Sequence, residues 1–225
     1  MDLKNKAILI TGAGAGIGYE LSQILAEKGA KVICFDVNIP EEKIDKVKYF
    51  KVNITSSENI KDALAKIDGK IDILINNAGV MRRGNILEID EKDYDFLFDV
   101  NLKGSWLMTK HAAEYLSKNA TIAFMSSRHG YEPAIDPAIY SLTKSAMITM
   151  ASLIEKTYPN LSIKIMCPGP TDTAVCRYGV EGKALEEKKK IMCHPLDVAK
   201  KIVDLLESDK KKLLFDQKKW DYYFE

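Results

Sequence analysis

The chain has 225 residues, with 33 basic and 32 acidic side chains and a formal net charge of +1. Apolar residues make up 46% and charged residues 29%, the balance of an ordinary globular domain, and this length can bury a core without disulfides or a structural metal. Such even charge gives no electrostatic reason to expect nucleic acid or an anionic membrane as partner, and no run approaches the roughly 20 apolar residues that a membrane-spanning helix needs.

The first strand is expected at Ala7–Ile10, an apolar run too short for a secretory signal core. Further strands are expected at Lys31–Phe35, Tyr49–Val52, Ile71–Ile75, Thr121–Met125, Leu161–Met166 and Lys212–Phe215. Helical periodicity falls between them, at Gly16–Lys28, Ser57–Ile67, Glu91–Asn119, Pro137–Tyr158 and Asp197–Ser208. Strands alternating with helices predict right-handed βαβ units, hence an α/β, Rossmann-like doubly wound fold with a mainly seven-stranded parallel sheet and helices on both faces. No linker or internal repeat divides residues 1–225, which read as one domain. Residues 174–195 have weak strand signals and read as a loop or helical flap, placed where a substrate lid would lie.

The four cysteines, Cys34, Cys167, Cys176 and Cys193, form no C-x-x-C pair, so reduced thiols and a cytoplasmic location are expected. Cys193 and His194 lack paired ligand spacing, and no metal is expected.

The first strand runs into Thr11-Gly12-Ala13-Gly14-Ala15-Gly16-Ile17-Gly18 and then into a helix. Glycines at such a turn let backbone approach a pyrophosphate, and the helix amino end adds N–H donors. The second strand leads into Asp36, eighteen residues beyond Gly18. A carboxylate there accepts hydrogen bonds from ribose hydroxyls and repels a 2′-phosphate. Ala15 and Val37 place no basic residue nearby, so NAD is expected over NADP.

Tyr140 and Lys144 lie one helical turn apart, with Cβ atoms about 5–6 Å from each other. A phenol titrates near 10, and bringing it to neutral pH takes roughly 4 kcal/mol, which a neighbouring ammonium and an oxidised nicotinamide would help to supply. Ser127 stands at the end of the strand Thr121–Met125, on the sheet edge where ligands of open α/β folds bind.

These features resemble the short-chain dehydrogenase/reductase family. The matching motifs run in family order: Thr11-Gly12-x-x-x-Gly16-Ile17-Gly18, Asn76-Asn77-Ala78-Gly79, Val100-Asn101, Ser127, Tyr140-x-x-x-Lys144 and Pro168-Gly169-x-x-x-Thr173. The resemblance implies Tyr140 as general acid/base, Lys144 on the nicotinamide ribose, Ser127 on the substrate oxygen and Asn101 holding a relay water. It implies Asn77, Ala78 and Gly79 along the cofactor cleft, and Pro168, Gly169, Thr171 and Thr173 around the carboxamide. It also implies Asn53 and the backbone of Ile54 at the adenine, although relatives often have Asp where Asn53 stands. The expected function is hydride transfer between NAD and a small alcohol or ketone. The alternatives are a 3-oxoacyl reductase using NADPH, or a catalytically silent nucleotide sensor. Relatives pair subunits through the helices matching Glu91–Asn119 and Pro137–Tyr158, which implies a homodimer or homotetramer. The carboxyl end, Leu214 to Phe224, lacks the family's glycine-rich closing turn. Arg128 and His129 follow Ser127 and border the expected substrate pocket; His111 reads as a packing or interface residue.

Overall fold

A computed structural model describes residues 1–225. The first half runs β1 (Ala7–Thr11), α1 (Gly16–Glu27), β2 (Lys31–Asp36), β3 (Lys48–Lys51), α2 (Ser57–Leu64), β4 (Ile71–Asn76), α3 (Glu91–Leu97) and α4 (Ser105–Ala112). The second half runs β5 (Leu116–Met125), α5 (Ala138–Thr157), β6 (Ser162–Cys167), α6 (Ala174–Arg177), α7 (Gly182–Lys190), α8 (Pro195–Glu207), β7 (Lys212–Asp216) and β8 (Asp221–Phe224). All eight strands join one sheet in the order β3-β2-β1-β4-β5-β6-β7-β8.

Seven of the strands are parallel, as expected; β8 adds an eighth, antiparallel to β7, with Leu214 opposite Tyr223. The sheet is therefore one strand wider than the sequence indicates. The chain winds outward from β1 through β2 to β3, then crosses back to β4 and continues the other way. The gap beyond the carboxyl ends of β1 and β4 is the point where such sheets open a crevice.

Pleating sends alternate residues of each strand to opposite faces. Ile8 and Ile10 pack with Leu21 and Leu25 of α1 and with Val198, Ile202 and Leu206 of α8. Leu9, one residue off in register, packs on the other side with Leu64 of α2, Met108 of α4 and Met147 of α5. The inner strands are therefore apolar on both faces, which explains why they read as unbroken apolar runs rather than alternating ones.

The expected long helix over Glu91–Asn119 is broken. After α3 a π-helical segment, Phe98–Gly104, carries Asn101; α4 then ends at Ala112, and Leu116 already pairs with Ile71 in the sheet. Of the two alternatives for residues 174–195, loop or helical flap, the structure has the helical one, with two short helices, α6 and α7. No helix is long and apolar enough to cross a membrane.

Candidate active site

The glycine turn between β1 and α1 depends on close backbone approaches. Gly12 has φ +67°, and a Cβ there would lie 2.6 Å from Ala78 Cα. At Gly18 a Cβ would lie 2.3 Å from the Gly12 carbonyl oxygen and 2.5 Å from Asn77 Nδ2. Asn77 braces this turn: its Nδ2 donates to the carbonyls of Thr11 at 2.9 Å and Gly12 at 2.8 Å. Thr11 Oγ1 in turn accepts from the backbone N–H groups of Asn77 and Ala78, both at 3.1 Å. The two motifs, distant in sequence, are thus one hydrogen-bonded unit across the β1–β4 gap.

Asp36 ends β2 beside that turn. Its Oδ2 accepts from Gly14 N–H at 2.8 Å and its Oδ1 from Asn38 N–H at 2.9 Å, so both oxygens are oriented while retaining free lone pairs. Asn53 does not offer a free acceptor: its Oδ1 takes hydrogen bonds from the Thr55 N–H and hydroxyl.

Tyr140 lies in the first turn of α5, where it packs with Met81, Leu97 and Ile139. Ser127, just past the carboxyl end of β5, lines the same cleft as the Tyr140 side chain, and its Oγ accepts from His129 N–H at 3.2 Å. The neighbouring Ser126 is instead committed to structure, donating to the Lys144 carbonyl at 2.9 Å. Lys144 is buried, with Nζ donating to the Met125 carbonyl at 2.7 Å. A Cβ on Gly79 would lie 3.2 Å from Lys144 Nζ and 3.3 Å from Asn101 Oδ1, so both polar groups face one point above that glycine. Asn101 is fully buried, accepting from Val80 N–H at 2.8 Å and donating to the Val80 carbonyl at 3.0 Å and to Thr143 Oγ1 at 3.1 Å.

Electrostatics here run against the expectation for an acidic phenol. Burial, only partly offset by the Ser127 hydrogen bond, pushes Tyr140 up to about 12, and burial pushes Lys144 down to about 8. Desolvation, which disfavours the charged form of each group, is the largest cause of both shifts.

One cleft of about 730 Å³ joins these features. Its walls include Gly12, Ala15, Gly16, Ile17 and Gly18 at one end, Asp36, Val37, Asn53 and Ile54 along one side, and Asn77, Ala78 and Gly79 beneath. Ser127, Tyr140, Lys144, Pro168, Gly169, Thr171 and Thr173 line the other end. Of the expected site residues only Gly14 and Asn101 lie behind the wall; each hydrogen-bonds a group that lines it, Asp36 and Val80.

The profile of the family described as short chain dehydrogenase matches residues 6–184. The chain belongs to the short-chain dehydrogenase family. An uncharacterized oxidoreductase of Thermotoga maritima is 33% identical over 187 residues, covering 77% of this chain and 74% of that one. A 3-oxoacyl-acyl-carrier-protein reductase of the same organism is 31% identical over 191 residues, covering 77% of each. Among solved structures, the ligand-free aldohexose dehydrogenase of Thermoplasma acidophilum matches with a TM-score of 0.82 at 27% identity, covering 92% of this chain and 88% of that one.

As a short-chain dehydrogenase the chain is an NAD(P)-dependent oxidoreductase, and its cleft fits that cofactor. The glycine turn leaves no room for side chains, as a close approach by phosphates requires, the Asp36 carboxylate lines the cleft beside that turn, and the volume suits an extended ligand.

The structure also brings to this dehydrogenase's cleft residues that motif reading passes over: Met81, Arg83, Asp136, Cys176 and Lys188. They come from loops and the 174–190 helices, which carry no motif. Arg83 pairs with Asp136 at 3.0 Å and donates to the Tyr178 carbonyl at 3.1 Å, tying the loop after β4 to α5 and to α6. Lys188 reaches from α7 to the Cys176 carbonyl. Arg128 is not a free substrate cation: its guanidinium bonds Glu132 at 3.2 Å, Gln217 at 2.6 Å and His129 Nε2 at 3.0 Å. Because arginine can only donate, the neutral His129 ring carries its proton on Nδ1, which is buried and unpartnered. Burial and the Arg128 charge push His129 down to about 4, and its ring meets Tyr140 edge-on at 6.3 Å. The cysteines are all free, and no cluster of metal-ligating side chains is present.

Proposed function

We propose that the chain transfers hydride between NAD and a small alcohol or ketone, with Tyr140 as general acid/base. The supporting observation is that Ser127, Tyr140 and Lys144 line one end of the cleft at the carboxyl edge of the sheet, with Lys144 Nζ 5.6 Å from the centre of the Tyr140 ring. Bound NAD(H) supplies the hydride acceptor or donor and, when oxidised, a positive charge at that end of the cleft.

The chain's own residues do the rest. Tyr140 takes the proton of a substrate hydroxyl in oxidation and returns it to the carbonyl oxygen in reduction. Ser127 holds that oxygen. Lys144 orients the nicotinamide ribose and stabilises the phenolate. Asn101, facing the same point above Gly79 as Lys144, holds the water that passes protons out. Gly12, Gly14, Ala15, Gly16, Ile17 and Gly18 receive the pyrophosphate; Asn77, Ala78 and Gly79 line the cleft wall. Val37, Asn53 and Ile54 border the adenosine, and Pro168, Gly169, Thr171 and Thr173 the carboxamide. Asp36 favours NAD over NADP, because a 2′-phosphate would meet its carboxylate. Residues 1–225 act as one dinucleotide-binding domain, with 174–195 as the substrate lid.

The second reading, a 3-oxoacyl reductase using NADPH, draws support from the 31% identical reductase but needs a phosphate beside Asp36. A silent sensor would have no use for the Ser127, Tyr140 and Lys144 set. Four free thiols suit a cytoplasmic protein. An apolar groove between the π-helical segment, α4 and α5, with Trp106 46% and Leu153 59% exposed, suits a homodimer or homotetramer.

The test is a screen of NAD⁺, NADP⁺ and their reduced forms against alcohols, sugars, hydroxy acids and oxoacyl thioesters, following absorbance of the reduced cofactor. Tyr140→Phe is expected to abolish turnover while dinucleotide affinity stays nearly unchanged. Retained turnover in that variant would reject Tyr140 as the acid/base.

A further inference from the structure

The carboxyl-terminal hairpin reaches the active site from behind. Tyr222 on β8 accepts a hydrogen bond from Gly169 N–H at 3.3 Å, and its hydroxyl also contacts the Thr171 hydroxyl and the Cys193 thiol. Gly169 and Thr171 line the cleft; Cys193 lies where the chain returns from α7. The two segments are stitched together, with Cys193 N–H donating to the Pro170 carbonyl at 2.8 Å and Asp172 N–H to the Cys193 carbonyl at 3.0 Å. One phenol therefore touches both ends of the 174–192 excursion.

The hairpin behind that phenol is rigidly seated. Phe215 meets Tyr222 edge-on at 5.2 Å and Trp220 at 5.3 Å. Tyr131 brackets Phe215, its hydroxyl donating to the carbonyl at 2.5 Å and accepting from the N–H at 3.1 Å. Gly169 lies flat on the Phe215 ring, where a Cβ would come within 2.5 Å of Cγ. From the side, Gln217 accepts from Arg128 at 2.6 Å, while Arg128 N–H donates to the Pro168 carbonyl at 2.9 Å.

We infer that Tyr222 is a positioning residue of the active site: its hydroxyl fixes the Gly169–Thr171 backbone at the nicotinamide end of the cleft and ties it to the return point of the lid at Cys193. This rests on the proposal that the cleft binds a nicotinamide dinucleotide. The role needs the hydroxyl, whereas the aromatic ring alone suffices to close the sheet edge.

Tyr222→Phe separates the two. Binding of NADH and of ADP-ribose, which lacks the nicotinamide, is measured by calorimetry on the full chain alongside the unfolding midpoint. The expected result is NADH weakened about fivefold, the worth of one ordinary hydrogen bond, with ADP-ribose affinity and midpoint nearly unchanged. Trp220→Leu, which trims the hairpin but leaves the hydroxyl, is expected to lower the midpoint and keep the NADH to ADP-ribose ratio. Amide exchange should quicken at 169–173 and 192–193 in Tyr222→Phe and stay unchanged in β1 and β2. A ratio unmoved by Tyr222→Phe, or moved only by Trp220→Leu, overturns the inference while the dinucleotide reading stands. Failure of the wild-type chain to bind either ligand overturns both.

Discussion

Lys144 holds its ammonium 5.6 Å from the centre of the Tyr140 ring while donating to the Met125 carbonyl at 2.7 Å. Despite that proximity, both groups are pushed toward their neutral forms. Burial is the common cause. On the proposal that Tyr140 is the acid/base, a positive charge from the oxidised cofactor would be needed to offset that burial.

This has a pH signature. Lys144 falls to about 8 in the fold and sits near 10.5 when unfolded. A depressed ammonium means that the unfolded chain binds more protons between those values, so stability rises with pH across that window. The full effect is roughly 3 kcal/mol. Denaturant melts of wild type and Lys144→Met between about pH 7 and pH 10.5 should show the wild type gaining on the variant by that order. Parallel curves would mean that the ammonium is better solvated than its burial indicates.

Asp36 has one structural duty and one proposed one. It shapes the turn through Gly14 N–H and Asn38 N–H, and the proposal gives its carboxylate to a ribose hydroxyl. Asp36→Ala should cut the NAD over NADP ratio of kcat/KM by an order of magnitude or more and weaken NAD itself, since the two backbone donors lose their acceptor. Unchanged selectivity would reject the ribose contact.

Asn101 is buried with three side-chain hydrogen bonds, two of them to the Val80 backbone. Asn101→Ala strands the Val80 N–H, and an unsatisfied buried amide costs about 1–3 kcal/mol. Thermal unfolding should therefore move down by several degrees. If Asn101 also holds the relay water beside Lys144, kcat should fall more than KM changes. A drop in midpoint with kcat intact would leave it a brace and nothing more.

Most of the cleft lining could be read from the sequence because its glycines, Asp36 and Ser127 stand at strand ends and Tyr140 and Lys144 one turn apart on a helix, where local spacing and sheet topology agree. Thr11-Gly12 and Asn76-Asn77 were legible as motifs; that they are one hydrogen-bonded unit was not, because the contact crosses the sheet. β8 escaped for a local reason. Its turn has no glycine: Trp220 occupies the left-handed position at φ +54°, and Asp216 steadies the turn by accepting from the N–H groups of Lys218 and Lys219. The Asp-x-Lys-Lys stretch was the available signal. The predicted 91–119 helix overran its end because Leu116 to Asn119 belong to β5, held by the pairing of Leu116 with Ile71, which local spacing does not reveal. The sense of the Tyr140 and Lys144 shifts needed burial, which spacing does not supply.

The exposed faces of α4 and α5 lead to the last expectation. Trp106, Met150 and Leu153 line an apolar groove with Phe98 and Leu102, and Lys110 lies over the Trp106 ring at 4.9 Å. Isolated apolar side chains on a surface need no explanation, but a contiguous patch does, since burying it against a second copy removes it from water at about 25 cal/mol per Å². The groove lies on the side of α5 away from the catalytic cleft, with only Asp99 lining both. On the proposal that this face pairs two copies, Leu153→Glu should lower the mass seen by light scattering without unfolding the chain, because Leu153 makes no part of the core. A wild-type chain that runs as a monomer at micromolar concentration would remove this face from the subunit interface.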